Sequence, residues 1–195
     1  QLARNGYDVK TMSPKDLKTI HFINKMMQSG VRVFKIEGRA RGAEYVKHVV
    51  SAYRQAIDSC LDGTFSEEKI AAWDDSLSRV FNRGFWNGYY LGQRLGEWSP
   101  RYGSSAVEKK MYIGKITNYF KKIGVAECIL ETQNLKIGDK ILVTGETTGA
   151  YEATIDELRL DLKPVDEVNK GDVFSIKTTE VLRRNDKLFK IVTTA

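Results

Sequence analysis

The spacing of apolar residues changes near residue 105, and this change constrains the fold more than any other feature of the chain. Before that point, apolar residues recur at helical spacing in three segments, with one short β-branched run between them. After it, short strand-like stretches are broken by glycines. Residues 98–105, with the sequence WSPRYGSS, are typical of a linker. We therefore predict two domains, residues 1–105 of α/β type and residues 106–195 of all-β type.

The first half is predicted to run helix, strand, helix, helix. Residues 13–17 (SPKDL) predict a helix start, because a capping serine precedes a proline at the first helical position. Residues 31–36 (VRVFKI) predict a strand, and an apolar stripe from Tyr45 to Cys60 predicts the second helix. A third helix is predicted from Ser66, with four side chains facing inward: Ile70, Trp73, Leu77 and Phe81. One strand cannot form a sheet, so we expect the rest of a parallel sheet upstream of this sequence.

The second half contains a short internal repeat. Residues 135–143 (LKIGDKILV) are similar to residues 168–176 (VNKGDVFSI), and each copy places a Gly-Asp turn before a strand. About six strands with short turns predict a small closed barrel. The pattern resembles the second-domain barrel of translation elongation factors, a resemblance that bears on fold more than on function.

Composition excludes several classes of protein. Two cysteines, Cys60 and Cys128, are too few for a disulfide framework or a cysteine-based metal site, and they fit a reducing cytoplasm. The apolar runs are too short to cross a membrane, and no apolar signal core follows Gln1. The formal net charge of +6 permits an anionic partner such as RNA without requiring one.

Candidate site residues follow the predicted strand of the first half. Ligands of α/β barrels bind at the carboxyl ends of the strands, where Glu37, Arg39 and Arg41 would lie. Glu37 could act as a general base or orient a neighbour, and two guanidinium groups could hold a carboxylate or phosphate. The alternative is an ion pair that fixes the loop to the next helix.

Residues 82–92 are rich in glycine and aromatic residues. Phe85, Trp86, Tyr89 and Tyr90 could stack on nucleobases, or the segment could be a packed connector. Both histidines, His21 and His48, are interpreted as surface or core-edge residues, and both cysteines as small core residues. The sequence has no serine-hydrolase, zinc-protease or phosphate-loop motif.

Five motifs in this order and spacing resemble the late part of the catalytic region of peptidase family U32. They are residues 13–17 (SPKDL), 34–39 (FKIEGR), 44–46 (EYV), 53–58 (YRQAID) and 82–85 (NRGF). The resemblance covers about residues 7–95. Residues 106–195 are similar in kind to the β-barrel that some longer members carry.

The resemblance implies a TIM-like barrel whose last strands and helices are residues 1 to about 95. The family includes collagenase-like peptidases, a tRNA wobble-uridine hydroxylase that uses prephenate, and an rRNA cytidine hydroxylase. Related hydroxylases carry an iron–sulfur cluster, whose cysteine ligands would lie upstream, so none is expected in this chain. Some members have a further cysteine at the position of Val46.

The resemblance implies that the site includes Lys35, Glu37 and Arg39, with Arg41 as a further candidate. We expect the C-terminal part of a tRNA wobble-uridine hydroxylase whose β-barrel assists docking, and we expect this fragment to be inactive by itself. The alternatives are a collagenase-like peptidase and a non-catalytic binding module. The expected partners are tRNA or rRNA, alternatively a peptide, and the missing part of the barrel; no membrane partner is expected.

Overall fold

A computed structural model describes residues 14–99 and 103–194, which divide into two compact units. The first unit contains the described residues up to Arg39 and those from His48 to Val107. The second contains Ala40–Lys47 and the described residues from Glu108 onward. No helix formed by the described residues is long and apolar enough to cross a membrane.

Helices dominate the first part of the chain. A 3-10 turn (Ile20–Phe22) leads into α1 (Ile23–Gln28), followed by α2 (Ala43–Leu61) and α3 (Glu67–Arg79). Two short strands, β1 (Asp16–Leu17) and β2 (Phe85–Trp86), pair in parallel.

The second and third helices form where the sequence predicts them. Helix α2 buries Val49, Ala52 and Ala56 along one stripe, and Gly63, with a φ of +74°, follows its end. The side chain of Ser66 caps α3 by accepting a hydrogen bond from the Lys69 N–H, 3.4 Å away.

The inward face of α3 is shorter than predicted. Ile70, Trp73 and Leu77 are buried. Phe81, however, is 41% exposed, because α3 ends at Arg79 and the backbone at Val80 is already extended. The prediction that Phe81 faces inward is therefore wrong.

The predicted first helix begins later than the sequence suggests. Ser13, its predicted cap, lies outside the described residues. Asp16 and Leu17 form β1 instead, and the Asp16 N–H donates to the Gly84 carbonyl at 2.8 Å. Pairing with the distant β2 therefore overrides the local helix signal, and α-helix starts only at Ile23.

The strand predicted at residues 31–36 is also not observed. These residues form neither helix nor strand in the described chain, and Val33 is 86% exposed. A β-strand is defined by a hydrogen-bonded neighbour, and the described residues offer none to this run. The sequence pattern is strand-like, but the pattern alone does not supply a partner.

From Glu108 onward the second unit is built of strands, as predicted for this half of the sequence; the unit also includes the start of α2. Its strands are β3 (Glu108–Phe120), β4 (Val125–Leu130), β5 (Asn134–Lys136), β6 (Lys140–Gly145), β7 (Gly149–Thr154), β8 (Leu158–Leu160), β9 (Lys163–Val165), β10 (Glu167–Asn169), β11 (Val173–Lys177) and β12 (Lys187–Thr193). Eight of them form a sheet in the order β7-β6-β12-β3-β4-β11-β8-β9, and β10 pairs with β5.

The predicted count of six strands is wrong. Four of the strands, β5, β8, β9 and β10, have only three residues each, which is too short to show a clear alternation in the sequence. Closure of the sheet into a barrel stays a prediction.

The core of the second unit follows from strand alternation. Along β4, Ala126, Cys128 and Leu130 are fully buried, and the residues between them are partly exposed. They join a cluster that also contains Phe174 and Leu188. Burying a side chain of the size of leucine or phenylalanine contributes about 1.5–3 kcal/mol, so this cluster is the main stabilising element of the unit.

The internal repeat is a structural repeat. In each copy the aspartate of the Gly-Asp turn accepts a hydrogen bond from a backbone N–H three residues earlier. Asp139 Oδ2 accepts from Lys136 at 2.9 Å, and Asp172 Oδ2 accepts from Asn169 at 2.7 Å. The strands before the two turns, β5 and β10, pair with each other in antiparallel register. The repeated motif thus forms two equivalent turns joined by one ladder.

Candidate functional site

The segment from Glu37 to Arg39 forms a tight, exposed turn. The Arg39 backbone N–H donates to Glu37 Oε1 at 2.7 Å, and the guanidinium lies 4.0 Å from Glu37 Oε2. The side chains are 88% exposed for Arg39 and 64% for Glu37. An ion pair this exposed contributes little to stability, so the backbone hydrogen bond is the contact that shapes the turn. The turn presents the guanidinium group to solvent.

The other two predicted site residues are placed differently. Lys35 is exposed and precedes the turn. Arg41 is partly buried, and its guanidinium lies 5.1 Å from the ring centroid of Tyr45, at cation–π distance. Arg39 belongs to the first unit and Arg41 to the second. The paired arginine clamp therefore stays a prediction.

The aromatic segment is partly engaged in packing. Phe85 lies under the Lys18 ammonium group, 4.8 Å from the ring centroid, and Trp86 meets Tyr89 edge to face at 5.2 Å. Both residues of β2 are half-buried, whereas Tyr89 and Tyr90 are 62% and 60% exposed. Of these four aromatic residues, Tyr89 and Tyr90 are therefore the more accessible to a base.

Neither cysteine has the surroundings of a reactive thiol. Cys60 is partly buried, and burial, with a smaller contribution from Asp62, raises the pKa of its thiol. Cys128 is fully buried, and burial raises the pKa of its thiol further. A thiolate is the form that binds metals or attacks substrates, so both residues are better suited to packing.

The described residues do not fit an iron–sulfur cluster. Such a cluster needs about four cysteine thiolates, whereas Cys60 and Cys128 lie in different units. Within residues 14–99 and 103–194, no group of three or more His, Cys, Asp or Glu side chains could hold a metal ion.

One contact of a histidine was missed by the sequence analysis. His48, on α2, places Nδ1 3.0 Å from the Ser76 hydroxyl on α3. The two residues are 28 positions apart, and neither carries a motif. Helix packing alone creates this pair, so no sequence pattern would have found it.

The second unit also contains a groove that was not predicted from the sequence, which we call the basic groove. It is lined by residues of the β6–β7 hairpin (144–149), of the segment 183–187 and by Ala43, and its volume is about 630 Å³. Arg183, Arg184 and Lys187 are exposed at this groove. The run RRNDK in the sequence was the available signal.

The comparisons with known proteins agree on one family. The family model described as Peptidase family U32 matches residues 3–100. A "Collagenase" of Porphyromonas gingivalis is 52% identical over 97% of this chain and 49% of its own length. An "Uncharacterized protease" of Methanocaldococcus jannaschii is 36% identical over 91% of this chain and 44% of its own. "tRNA hydroxylation protein P1" of Bacillus subtilis is 32% identical over 75% of this chain and 35% of its own.

Among solved structures, the C-terminal domain of a U32 peptidase from Geobacillus thermoleovorans matches 40% of this chain and 90% of its own, with a TM-score of 0.39 and 15% identity. The chain spans about half the length of the collagenases that it matches, 49% and 56% in two cases. These relatives have been named for two different activities, peptide cleavage and tRNA hydroxylation.

Proposed function

Because this chain belongs to peptidase family U32, we propose that it forms the C-terminal part of a protein that hydroxylates RNA, with the wobble uridine of tRNA as its target. The observation that carries this proposal is the Glu37–Arg39 turn, which holds an exposed guanidinium group in a fixed backbone conformation. A guanidinium binds carboxylate and phosphate through two parallel hydrogen bonds. Arg39 would hold a carboxylate of prephenate or a phosphate of the RNA.

The relationship to the tRNA hydroxylation protein of B. subtilis supports the same proposal, since it covers three quarters of this chain. The parallel pairing of β1 with β2 supports a second part of it, that the first unit contributes the end of a TIM-like barrel. Neighbouring strands of such a barrel are parallel, as β1 and β2 are, and the chain between these two strands is helical. For the described residues, the proposal is confined to binding of the substrate by Arg39 and to the role of Glu37 beside it.

The test is nucleoside mass spectrometry of tRNA from cells that lack the full-length gene. Deletion should remove a hydroxylated uridine, and the wild-type gene should restore it. Arg39→Ala should reduce restoration by at least tenfold, because an anion contact is lost. Arg79→Ala is the matched control, since Arg79 lies outside the five motifs, is partly exposed and pairs with Asp75 one helical turn away. Unchanged tRNA on deletion would exclude the proposed function.

Two substitutions separate the roles open to Glu37. Glu37→Gln keeps an oxygen that accepts from the Arg39 N–H, but it cannot take up a proton. If Glu37→Gln restores the hydroxylated uridine and Glu37→Ala does not, Glu37 is a positioning residue. Equal loss in both variants would favour a general base.

A collagenase-like peptidase is the second candidate function. It is favoured by the 52% identity to the P. gingivalis collagenase and by the His48–Ser76 hydrogen bond, which pairs a hydroxyl with a base. Purified full-length protein should then cleave gelatin, and Ser76→Ala should abolish cleavage. Cleavage that is equally fast in Ser76→Ala would exclude a nucleophilic role for Ser76. The absence of cleavage by a protein that hydroxylates tRNA would exclude the peptidase function.

A further inference from the structure

The basic groove contains arginines whose side chains form no ion pair within the part of the chain that the structure describes. Among the arginines from residue 108 onward, Arg159 pairs with Glu157 at 2.7 Å. Arg183 and Arg184 are exposed, and they form no ion pair with any residue in the described ranges 14–99 and 103–194. Arginine is the side chain best matched to phosphate in geometry, so unpaired guanidinium groups in a groove indicate an external anion.

The segment that carries these arginines is held in a fixed conformation. The Asp186 carboxylate is buried, and its Oδ2 accepts hydrogen bonds from the Thr148 hydroxyl at 2.5 Å and from the Arg183 backbone N–H at 2.8 Å. The first contact ties the β6–β7 turn to segment 183–187, and the second closes a turn within that segment. The Asp186 side chain is buried and already accepts these two hydrogen bonds, so the exposed charges at the groove come from other residues.

The backbone also fixes this segment against the sheet. The Asn185 N–H donates to the Ile116 carbonyl at 2.9 Å, and the Ile116 N–H donates to the Asp186 carbonyl at 2.9 Å. Gly145 packs so closely on Asp186 that an added Cβ would overlap the carboxylate. The arginines therefore extend from a preorganised backbone, which lowers the entropic cost of binding a ligand.

Positive charge is concentrated locally at the groove. Residues 108–195 carry 15 lysines and arginines and 14 acidic residues, so this half of the sequence is nearly neutral. At the groove, however, Arg183, Arg184 and Lys187 face one exposed acid, Glu146. Lys187 also lies directly opposite Lys115 in the β12–β3 ladder. Lys115 is paired with Glu131, 2.9 Å away, so of these two lysines Lys187 is the one without an ion pair among the described residues.

From these observations we infer that the basic groove binds the phosphate backbone of RNA. The inference deepens the proposed function and rests on it, because it assigns RNA docking to a particular surface of the second unit. The groove is lined by separate chain segments and is open to solvent, which suits a polyanion better than one enclosed small molecule. The Thr144 and Thr147 hydroxyls line the same groove and can donate further hydrogen bonds to phosphate oxygens.

The test measures the binding of unmodified tRNA transcript to the 195-residue chain. Fluorescence anisotropy gives the affinity at each of a range of salt concentrations. The variant is Arg183→Gln with Arg184→Gln. The matched control is Lys121→Gln with Lys122→Gln, which removes the same charge from two exposed residues of the turn between β3 and β4. The groove variant should bind about tenfold more weakly at low salt, and its slope of log affinity against log salt should fall by about 2. The control should bind within about twofold of the parent chain.

Other outcomes would overturn the inference. Equal losses in the groove variant and the control would show that only overall charge matters. If the parent chain binds poly-glutamate but not tRNA, and the groove variant loses the binding of poly-glutamate, the partner is an acidic protein instead. Circular dichroism of both variants, with Arg184→Gln alone as a milder change, checks that the fold is retained.

Different results would contradict the inference about the groove and the proposed function. If the full-length protein with both groove substitutions restores the hydroxylated uridine as fast as wild type at limiting expression, the groove inference is wrong and the proposed function stands. If deletion of the gene leaves tRNA unchanged, the proposed function is wrong whatever the groove binds.

Discussion

At the residue scale, Cys128 occupies a position where a more polar side chain should destabilise the second unit. Its side chain is fully buried in the core cluster of the second unit. Cys128→Ser should destabilise that unit by about 1–3 kcal/mol, because the hydroxyl would be buried among apolar neighbours. Urea unfolding followed by far-ultraviolet circular dichroism measures this loss. Cys60→Ser, at a partly exposed position, is the matched control and should change stability less; equal effects would contradict the assignment of Cys128 to the core.

A surface cluster on β3 should make the stability of the second unit depend on pH. The Tyr112 hydroxyl donates to Glu131 Oε2 at 2.6 Å, and Lys115 Nζ lies 2.9 Å from Glu131 Oε1. These contacts lower the pKa of Glu131 from its usual 4.5, and the hydrogen bond to Glu131 raises the pKa of Tyr112 to about 12.

The sign of the effect follows from the lowered pKa of Glu131. The stabilisation is complete above about pH 4.5 and is lost as the pH falls through the lower pKa of the folded state. Glu131→Gln should therefore be less stable than wild type at pH 7 and equally stable near pH 2. Thermal unfolding at the two values measures this, and a difference that persists at pH 2 would exclude the carboxylate as its source.

At the scale of elements, the start of α3 depends on one side chain. Ser66 accepts a hydrogen bond from the Lys69 N–H and satisfies one of the free donors of the first turn. Ser66→Ala should destabilise the first unit by about 1 kcal/mol. Unfolding followed by tryptophan fluorescence measures the loss, since Trp73 lies on the same helix. Ser51→Ala, at an exposed position inside α2, should have no such cost; a similar loss there would contradict the capping role.

The pairing of β3 with β4 requires a residue without a side chain at one position. A Cβ on Gly114 would overlap the backbone carbonyl oxygen of Ile129 on β4. Gly114→Ala should cost about 1–3 kcal/mol or more, because backbone on both strands must move. Hydrogen exchange should show the largest loss of protection along β3 and β4. Unchanged protection of these amides would show that the sheet absorbs the methyl group without separating.

The sequence predicts elements well where local signals decide them. The apolar stripe of α2, the first three inward positions of α3, its start at Ser66 and the Gly-Asp turns are all local patterns, and the structure confirms them. The helix expected from residue 13 fails because pairing of β1 with β2 is a contact between residues about 70 positions apart. The candidate site divides in the same way: the Glu37–Arg39 turn is a local signal, whereas the His48–Ser76 pair and the basic groove depend on tertiary packing.

At the scale of the whole molecule, the two units are interleaved in the sequence. Residues 40–47 belong to the second unit but come before residues 48–107 of the first. Within this unit, Glu44 pairs with Lys110 at 2.5 Å, and Lys47 Nζ donates to the Ala150 carbonyl at 2.8 Å. A chain of residues 106–195 alone retains the whole core cluster but lacks both contacts. Adding these two contacts should stabilise the sheet by about 1–2 kcal/mol.

A double substitution, Glu44→Ala with Lys47→Ala, tests this in the 195-residue chain. Hydrogen exchange of the β6–β7 and β12–β3 amides should become faster in the variant, and those of β8 and β9 should not change. If residues 106–195 alone, the variant and the parent chain all exchange at the same rates in this sheet, the segment 40–47 does not stabilise the second unit.

The interleaved order of the two units also affects how the chain folds during synthesis. Residues 40–47 leave the ribosome before the strands with which they group, and the 60 residues from His48 to Val107 are made in between. At a translation rate of about 5–20 residues per second, this delay lasts about 3–12 s. The units therefore cannot be completed one after the other from the amino terminus. The start of α2 must stay available to the nascent chain until the β-strands emerge, which makes this segment a candidate for chaperone binding during synthesis.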